Sequence, residues 1–196
     1  MIRRLFLGLT LALIAGMAQA GPLDVTASDR VLGRADAPVT VIEYASFTCP
    51  HCADWHNQVL PAFKARFIDT GQVKLVFRDL PTDPIQVAAT AAAIARCAAP
   101  EKFYDVASSL MSGQAQLRAS YQVAPWYDAA VAASGKTQDQ IETCLADPAT
   151  SANLRAGMEA AGEAGVQSTP SFFVNGKAVP DRSLEGLSAA ITPLID

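Results

Sequence analysis

Glu43-Tyr44-Ala45-Ser46-Phe47-Thr48-Cys49-Pro50-His51-Cys52 decides how this 196-residue chain is read, because a strand and a helix meet inside it around two cysteines. The run from Val39 to Phe47 is β-branched and aromatic on both faces, as a central strand requires. Asp36-Ala37-Pro38 reads as the turn leading into it. A helix opens at Cys49, with Pro50 suited to its first position, where the missing N–H has no helical partner to lose. Trp55, Val59, Leu60, Phe63 and Phe67 recur at helical spacing as its core stripe, and Pro61 inside that stripe predicts a kink. Thr70-Gly71 closes the helix, and Val73-Lys74-Leu75-Val76-Phe77 forms the next strand. Strand, helix and strand in this order make a βαβ unit with parallel strands and a right-handed crossover.

Beyond it, residues 83–165 carry almost only helical signals. Asp83-Pro84 starts an alanine-rich helix running to about Cys97, and Pro100-Glu101 starts another through Met111. A third lies near Pro125 to Ser134 and ends at Gly135. Thr137 with Gln140 predicts a capping box for a helix containing Ile141 and Cys144. Asp147-Pro148 caps a longer helix that Gly165 ends. Strand chemistry then returns: Ser171 to Val174, an Asn175-Gly176 hairpin turn, and Lys177-Ala178-Val179. Leu184 to Ile195 reads as a closing helix. The expected class is α/β: βαβ, an all-helical insertion at about 83–165, then ββα, within one domain of residues 21–196.

The first twenty residues stand apart. Arg3-Arg4, an apolar run from Leu5 to Met17, and Ala18-Gln19-Ala20 read as a cleaved secretory signal peptide, with Gly21 as the mature start. The alternative is an uncleaved anchor, but the apolar stretch is short against the roughly 20 residues that a bilayer needs. Cleavage leaves 13 basic against 19 acidic residues, a net charge of −6 without a basic run, so nucleic acid and anionic lipid are poor partners. Export also decides how the four cysteines are read, since disulfides persist outside the cytosol.

Cys49 and Cys52 can close a small disulfide ring at a strand-to-helix junction. Unpaired backbone N–H groups and the helix dipole at the first cysteine favour its thiolate, which is the reactive form. His51 adds a hydrogen-bond donor or a partial positive charge. Stabilising the thiolate stabilises the dithiol, so the disulfide becomes a stronger oxidant and the loop is expected to donate disulfides. Cys49 takes the role of nucleophile and Cys52 that of resolving partner. Two other readings of the pair remain open: a structural disulfide, or part of a zinc site with His56 in Cys-x2-Cys-x3-His spacing. With no second ligand cluster, no metal and no cofactor beyond the redox-active disulfide are expected. Cys97 and Cys144, both in predicted helices, are expected to form a structural bridge, the alternative being two buried free thiols. In the chain-entropy model, closing that loop of about 48 residues is worth about 4 kcal/mol. Met111 and Met158, with Trp126 and Tyr127, read as core, and His56 as a solvated helix residue or a neighbour of the cysteines.

The segment from Glu43 to Cys52, joined to Val166-Gln167-Ser168-Thr169-Pro170-Ser171-Phe172-Phe173-Val174-Asn175-Gly176, resembles the DsbA-like family of thioredoxin-fold oxidoreductases over nearly the whole mature chain. The resemblance implies a thioredoxin fold interrupted by the helical insertion. It implies that Thr169-Pro170 is a cis-proline loop beside the cysteines that pairs with an extended substrate segment. It also implies that Glu43 is a buried acid moving a proton to or from Cys52. By the same resemblance the protein is a periplasmic dithiol oxidase acting on reduced exported proteins and recycled by a DsbB-type, quinone-linked membrane oxidase. Thr169 replaces the familiar valine, and His56 stands where the familiar pattern has an acid. Only about 17 residues separate Gly21 from Pro38, too few for the dimerisation domain of DsbC-type isomerases, so a monomer is expected. The alternatives are an isomerase or reductase of narrow substrate range, and a non-catalytic thioredoxin-fold chaperone.

Overall fold

The computed structural model describes residues 21–195; the expected signal peptide lies outside them. Five strands form one sheet in the order β1-β3-β2-β4-β5: β1 (Arg30–Leu32), β2 (Val39–Ala45), β3 (Val73–Asp79), β4 (Ser171–Val174) and β5 (Lys177–Val179). β2 and β3 run parallel, as a βαβ crossover requires, and the other pairings are antiparallel. β2 is central, so only Thr40 of its seven residues is not fully buried. Asn175 and Gly176 adopt φ of 43° and 78°, the left-handed pair that a tight hairpin of this type needs.

The helix after β2 begins as α1 (Pro50–Asp54) and continues through a π-helical turn (Trp55–Val59), α2 (Leu60–Phe63) and a second π turn (Lys64–Ile68). The irregularity expected at Pro61 takes this form. Proline lacks an N–H and crowds the carbonyl four residues back, and Leu60 N–H bonds Trp55 O, five residues back. Trp55, Phe63 and Phe67 pack with Val41, Leu75, Phe172, Leu187 and Ile191 as one core cluster.

The insertion comprises α3 (Ile85–Cys97), α4 (Phe103–Ser120), α5 (Val123–Ala133), α6 (Gln138–Ala146) and α7 (Pro148–Glu163). α4 runs nine residues past Met111, continuing through Gly113, and ends where Tyr121 turns left-handed at φ 57°. Gly113 lets α4 and α5 approach: a Cβ there would lie 2.7 Å from the Trp126 ring. The capping box of Thr137 and Gln140 forms. Cys97 and Cys144 are bonded, with Cα atoms 5.8 Å apart. The second core cluster joins α3, α4 and α5 to Phe47, Phe77, Cys49 and Cys52, so the insertion is packed directly beneath the cysteine loop.

Some expectations need correcting. Met158 is only half-buried on α7, whereas Met111 is fully buried. α8 (Leu184–Ile191) gives way to a 3-10 turn over Thr192–Leu194 at Pro193, short of Ile195. β1 carries three residues at the sheet edge and is anchored by Tyr104, whose hydroxyl donates to Arg30 O and Leu75 O at 2.9 Å. No helix of the described residues is long and apolar enough to cross a membrane.

Candidate active site

β2 delivers the chain to the cysteines through Ser46-Phe47-Thr48. Ser46 Oγ accepts from Thr82 N–H at 3.1 Å, and Thr48 Oγ1 donates to Thr82 O at 3.1 Å, which ties the loop to the one after β3. Cys49 is the N-cap residue of α1, with extended backbone, and Pro50 follows at the first helical position. Cys49 O accepts from the N–H groups of Cys52 and Ala53 at 3.1 and 3.2 Å. From the insertion, buried Gln114 donates Nε2–H to the same carbonyl at 3.2 Å, and Arg118 holds Gln114 Oε1 at 2.6 Å.

Both sulfurs are thiols here. Cys52 is fully buried, and Cys49 retains 8% exposure at the surface edge of the core. The Cys49 thiol is lowered to about 5, first because the Cys52 thiol donates to it. Thr169 and the backbone N–H groups of Cys52 and His51 add to this, against burial, which opposes the charge. Cys52 is pushed far up by burial, by donating to Cys49, and by the charges of Glu43 and Cys49. One thiol is thus primed to react and the other held protonated.

Thr169 and Pro170 lie against this pair. Their peptide bond is cis, and Cys49 Sγ lies 3.4 Å from Thr169 O. Of the two contributions expected of His51, the hydrogen-bond donor is its backbone N–H; its ring is 66% exposed and lies 4.0 Å from Asp54.

Beneath Cys52, Glu43 and His56 form a buried pair, Oε2 to Nε2 at 3.0 Å, with side chains 0% and 3% exposed. Of the two readings of His56, the solvated one is therefore wrong and the neighbour of the cysteines holds. It stands four residues after Cys52, on the same helix face, and that spacing was the available signal. Its Nε2 faces Glu43, and the rings of Trp55 and Phe77 flank it at 5.4 and 5.7 Å. Gln114 also escaped sequence reading, because only tertiary packing brings α4 to the loop.

A hollow of about 180 Å³ is lined by Thr48, Pro84, Val87, Leu117 and Gln114, the last of which bonds Cys49 O. A larger cavity of about 370 Å³, lined by Arg30, Arg78, Arg96, Asp79 and the Cys97–Cys144 bridge, shares no residue with the cysteine loop.

A family model described as Thioredoxin matches residues 26–192. The chain belongs to the thioredoxin family, and its five-helix segment is inserted between β3 and β4. Wolbachia pipientis alpha-DsbA1 superposes with a TM-score of 0.77 at 25% identity, over 88% of this chain and 94% of that one. BdbD from Bacillus subtilis has the same fold, with a TM-score of 0.77 at 22% identity, over 86% and 93%. In sequence, a Rickettsia bellii protein named "Putative protein-disulfide oxidoreductase" is 30% identical over 174 residues, 86% of this chain. The chain spans 65% of that relative's length.

Proposed function

We propose that the protein is an exported thiol–disulfide oxidase that donates a Cys49–Cys52 disulfide to reduced polypeptides. The observation that carries this reading is geometric: Cys49 caps the start of α1 at the surface edge, against the Thr169–Pro170 bond, with Cys52 buried one turn in. This arrangement lowers the Cys49 thiol to about 5 and pushes Cys52 up. A stabilised Cys49 thiolate makes the dithiol the favoured product, so the disulfide gives up its oxidising equivalent readily.

In the cycle, a substrate thiolate attacks Cys49 Sγ. The Cys49–Cys52 bond breaks, and its electron pair leaves on Cys52, which takes a proton from Glu43. A second substrate thiolate then attacks the substrate sulfur of the mixed disulfide. Cys49 leaves as the stabilised thiolate, and the substrate carries the new disulfide. Thr169 borders the reacting sulfur and presents its backbone to an extended substrate segment. Pro50 holds the helix start, and Cys97–Cys144 staples the insertion. No cofactor beyond the redox-active disulfide is needed.

The signal-like N-terminus supports periplasmic residence and reduced exported proteins as substrates. A DsbB-type quinone-linked membrane oxidase is the fitting recycling partner, and the working unit is a monomer. The test is disulfide formation in a reduced, unfolded secretory protein by mature oxidised enzyme. Stoichiometric oxidation, lost in C49A and trapped as a mixed disulfide in C52A, supports the oxidase. Retained function in C49A would instead mark a chaperone.

A further inference from the structure

The buried Glu43–His56 pair joins central β2 to the helix that carries Cys52, near enough for the resolving cysteine to feel the Glu43 charge. Glu43 lies on central β2, opposite Phe77 of β3 and Phe172 of β4. Its Oε2 is held by His56, while its Oε1 is buried with no partner among the described residues. A buried acceptor without a partner carries a desolvation cost and calls for an explanation, of which a redox or catalytic role is one. The charged and titratable neighbours of Glu43 are few. The Cys52 thiol and the Tyr104 hydroxyl both feel its charge, and Tyr104 already donates to two backbone carbonyls. Cys52 is the neighbour with a proton to exchange. The apolar rings of Trp55 and Phe77 confine His56 and leave its Nε2 facing Glu43.

We propose that His56 is a positioning residue: its Nε2–H donates to Glu43 Oε2 and so fixes Oε1 as the atom that exchanges a proton with Cys52. This rests on the oxidase reading and adds a residue to it. When Cys52 re-forms the ring, its S–H bond breaks and the proton passes to Glu43 Oε1. Cys52 Sγ bonds Cys49 Sγ, and the thiol held on Cys49 leaves with the electron pair of the old bond. In the opposite direction Glu43 Oε1 returns the proton to the departing Cys52 thiolate. Without His56 the carboxyl can rotate, and both oxygens compete for the one position.

The test is stopped-flow oxidation of the reduced mature protein by oxidised glutathione, which separates two steps. Cys49 first attacks glutathione in a bimolecular phase; Cys52 then closes the ring in a unimolecular phase. In H56L the closure is expected to slow about tenfold or more, with the bimolecular phase unchanged, and H56Q, which keeps a donor, recovers most of the loss. Unchanged closure in H56L, or equal slowing of both phases, would overturn the proposal. Should H56L fail to fold, the cycle of E43Q, H56N and the double variant decides, since Asn is too short to reach Glu43 Oε2. H56N alone slows closure, adding it to E43Q changes closure by less than twofold, and a further slowing contradicts the role. Normal closure kinetics in a protein that cannot oxidise a reduced polypeptide would instead count against the oxidase reading alone.

Discussion

The thiol of Cys52 donates to Cys49, and this contact comes first among the causes that lower Cys49, while for Cys52 burial comes first and the contact second. The donor is destabilised as a thiolate by the same bond that stabilises the acceptor. Cys49 sits at the helix start with free N–H groups around it, while Cys52, one turn in, has the Glu43 charge beneath it.

Alkylation of the reduced protein measures this directly. The rate at Cys49 is expected to rise with a midpoint near pH 5, while Cys52 stays unmodified to pH 9. A group whose acidity is strengthened by folding stabilises the fold above its unfolded value, about 8.5 for a free thiol, and loses that contribution as pH falls through the folded value. The reduced protein should therefore melt above the oxidised one at pH 7, with the gap narrowing towards pH 5.

Thr169→Val removes the hydroxyl that helps the Cys49 thiolate and keeps the shape. The alkylation midpoint is expected to move upward, and the disulfide to become a weaker oxidant. A midpoint at or below the wild-type value would show that Thr169 does not stabilise the thiolate.

Replacing Gln114 by Ala leaves Cys49 O without its bond from α4 and Arg118 without Oε1. A loss of about 1–3 kcal/mol in urea unfolding is expected, the range for breaking one side of a buried hydrogen bond.

The double variant C97A/C144A frees the loop between α3 and α6. Its unfolding free energy should fall by up to about 4 kcal/mol, the chain-entropy value for this loop length, with the alkylation midpoint of Cys49 unchanged. A moved midpoint would show that the bridge reaches the site.

Much of this fold was legible because local and global preferences agree. The apolar run of β2, the Asn175-Gly176 turn and the Thr137–Gln140 box each carry a local signal that tertiary packing keeps. β1 was not legible: three residues, Arg-Val-Leu, gain strand form only through the edge of β3 and the hydroxyl of Tyr104. The cysteines announced themselves by spacing. His56 offered only its spacing of one helical turn from Cys52, and its burial rests on the carboxylate of Glu43, thirteen residues away, which no local pattern links to it. Gln114 lies 65 residues from Cys49, and no periodicity links them.

The redox equilibrium of the mature protein across glutathione buffers, read by alkylation and peptide mass mapping, tests the central claim most directly. A Cys49–Cys52 potential near the roughly −120 mV of a strongly oxidising DsbA is the predicted result, with Cys97–Cys144 remaining bridged. A potential near the roughly −270 mV of thioredoxin would contradict the account and make the protein a reductase.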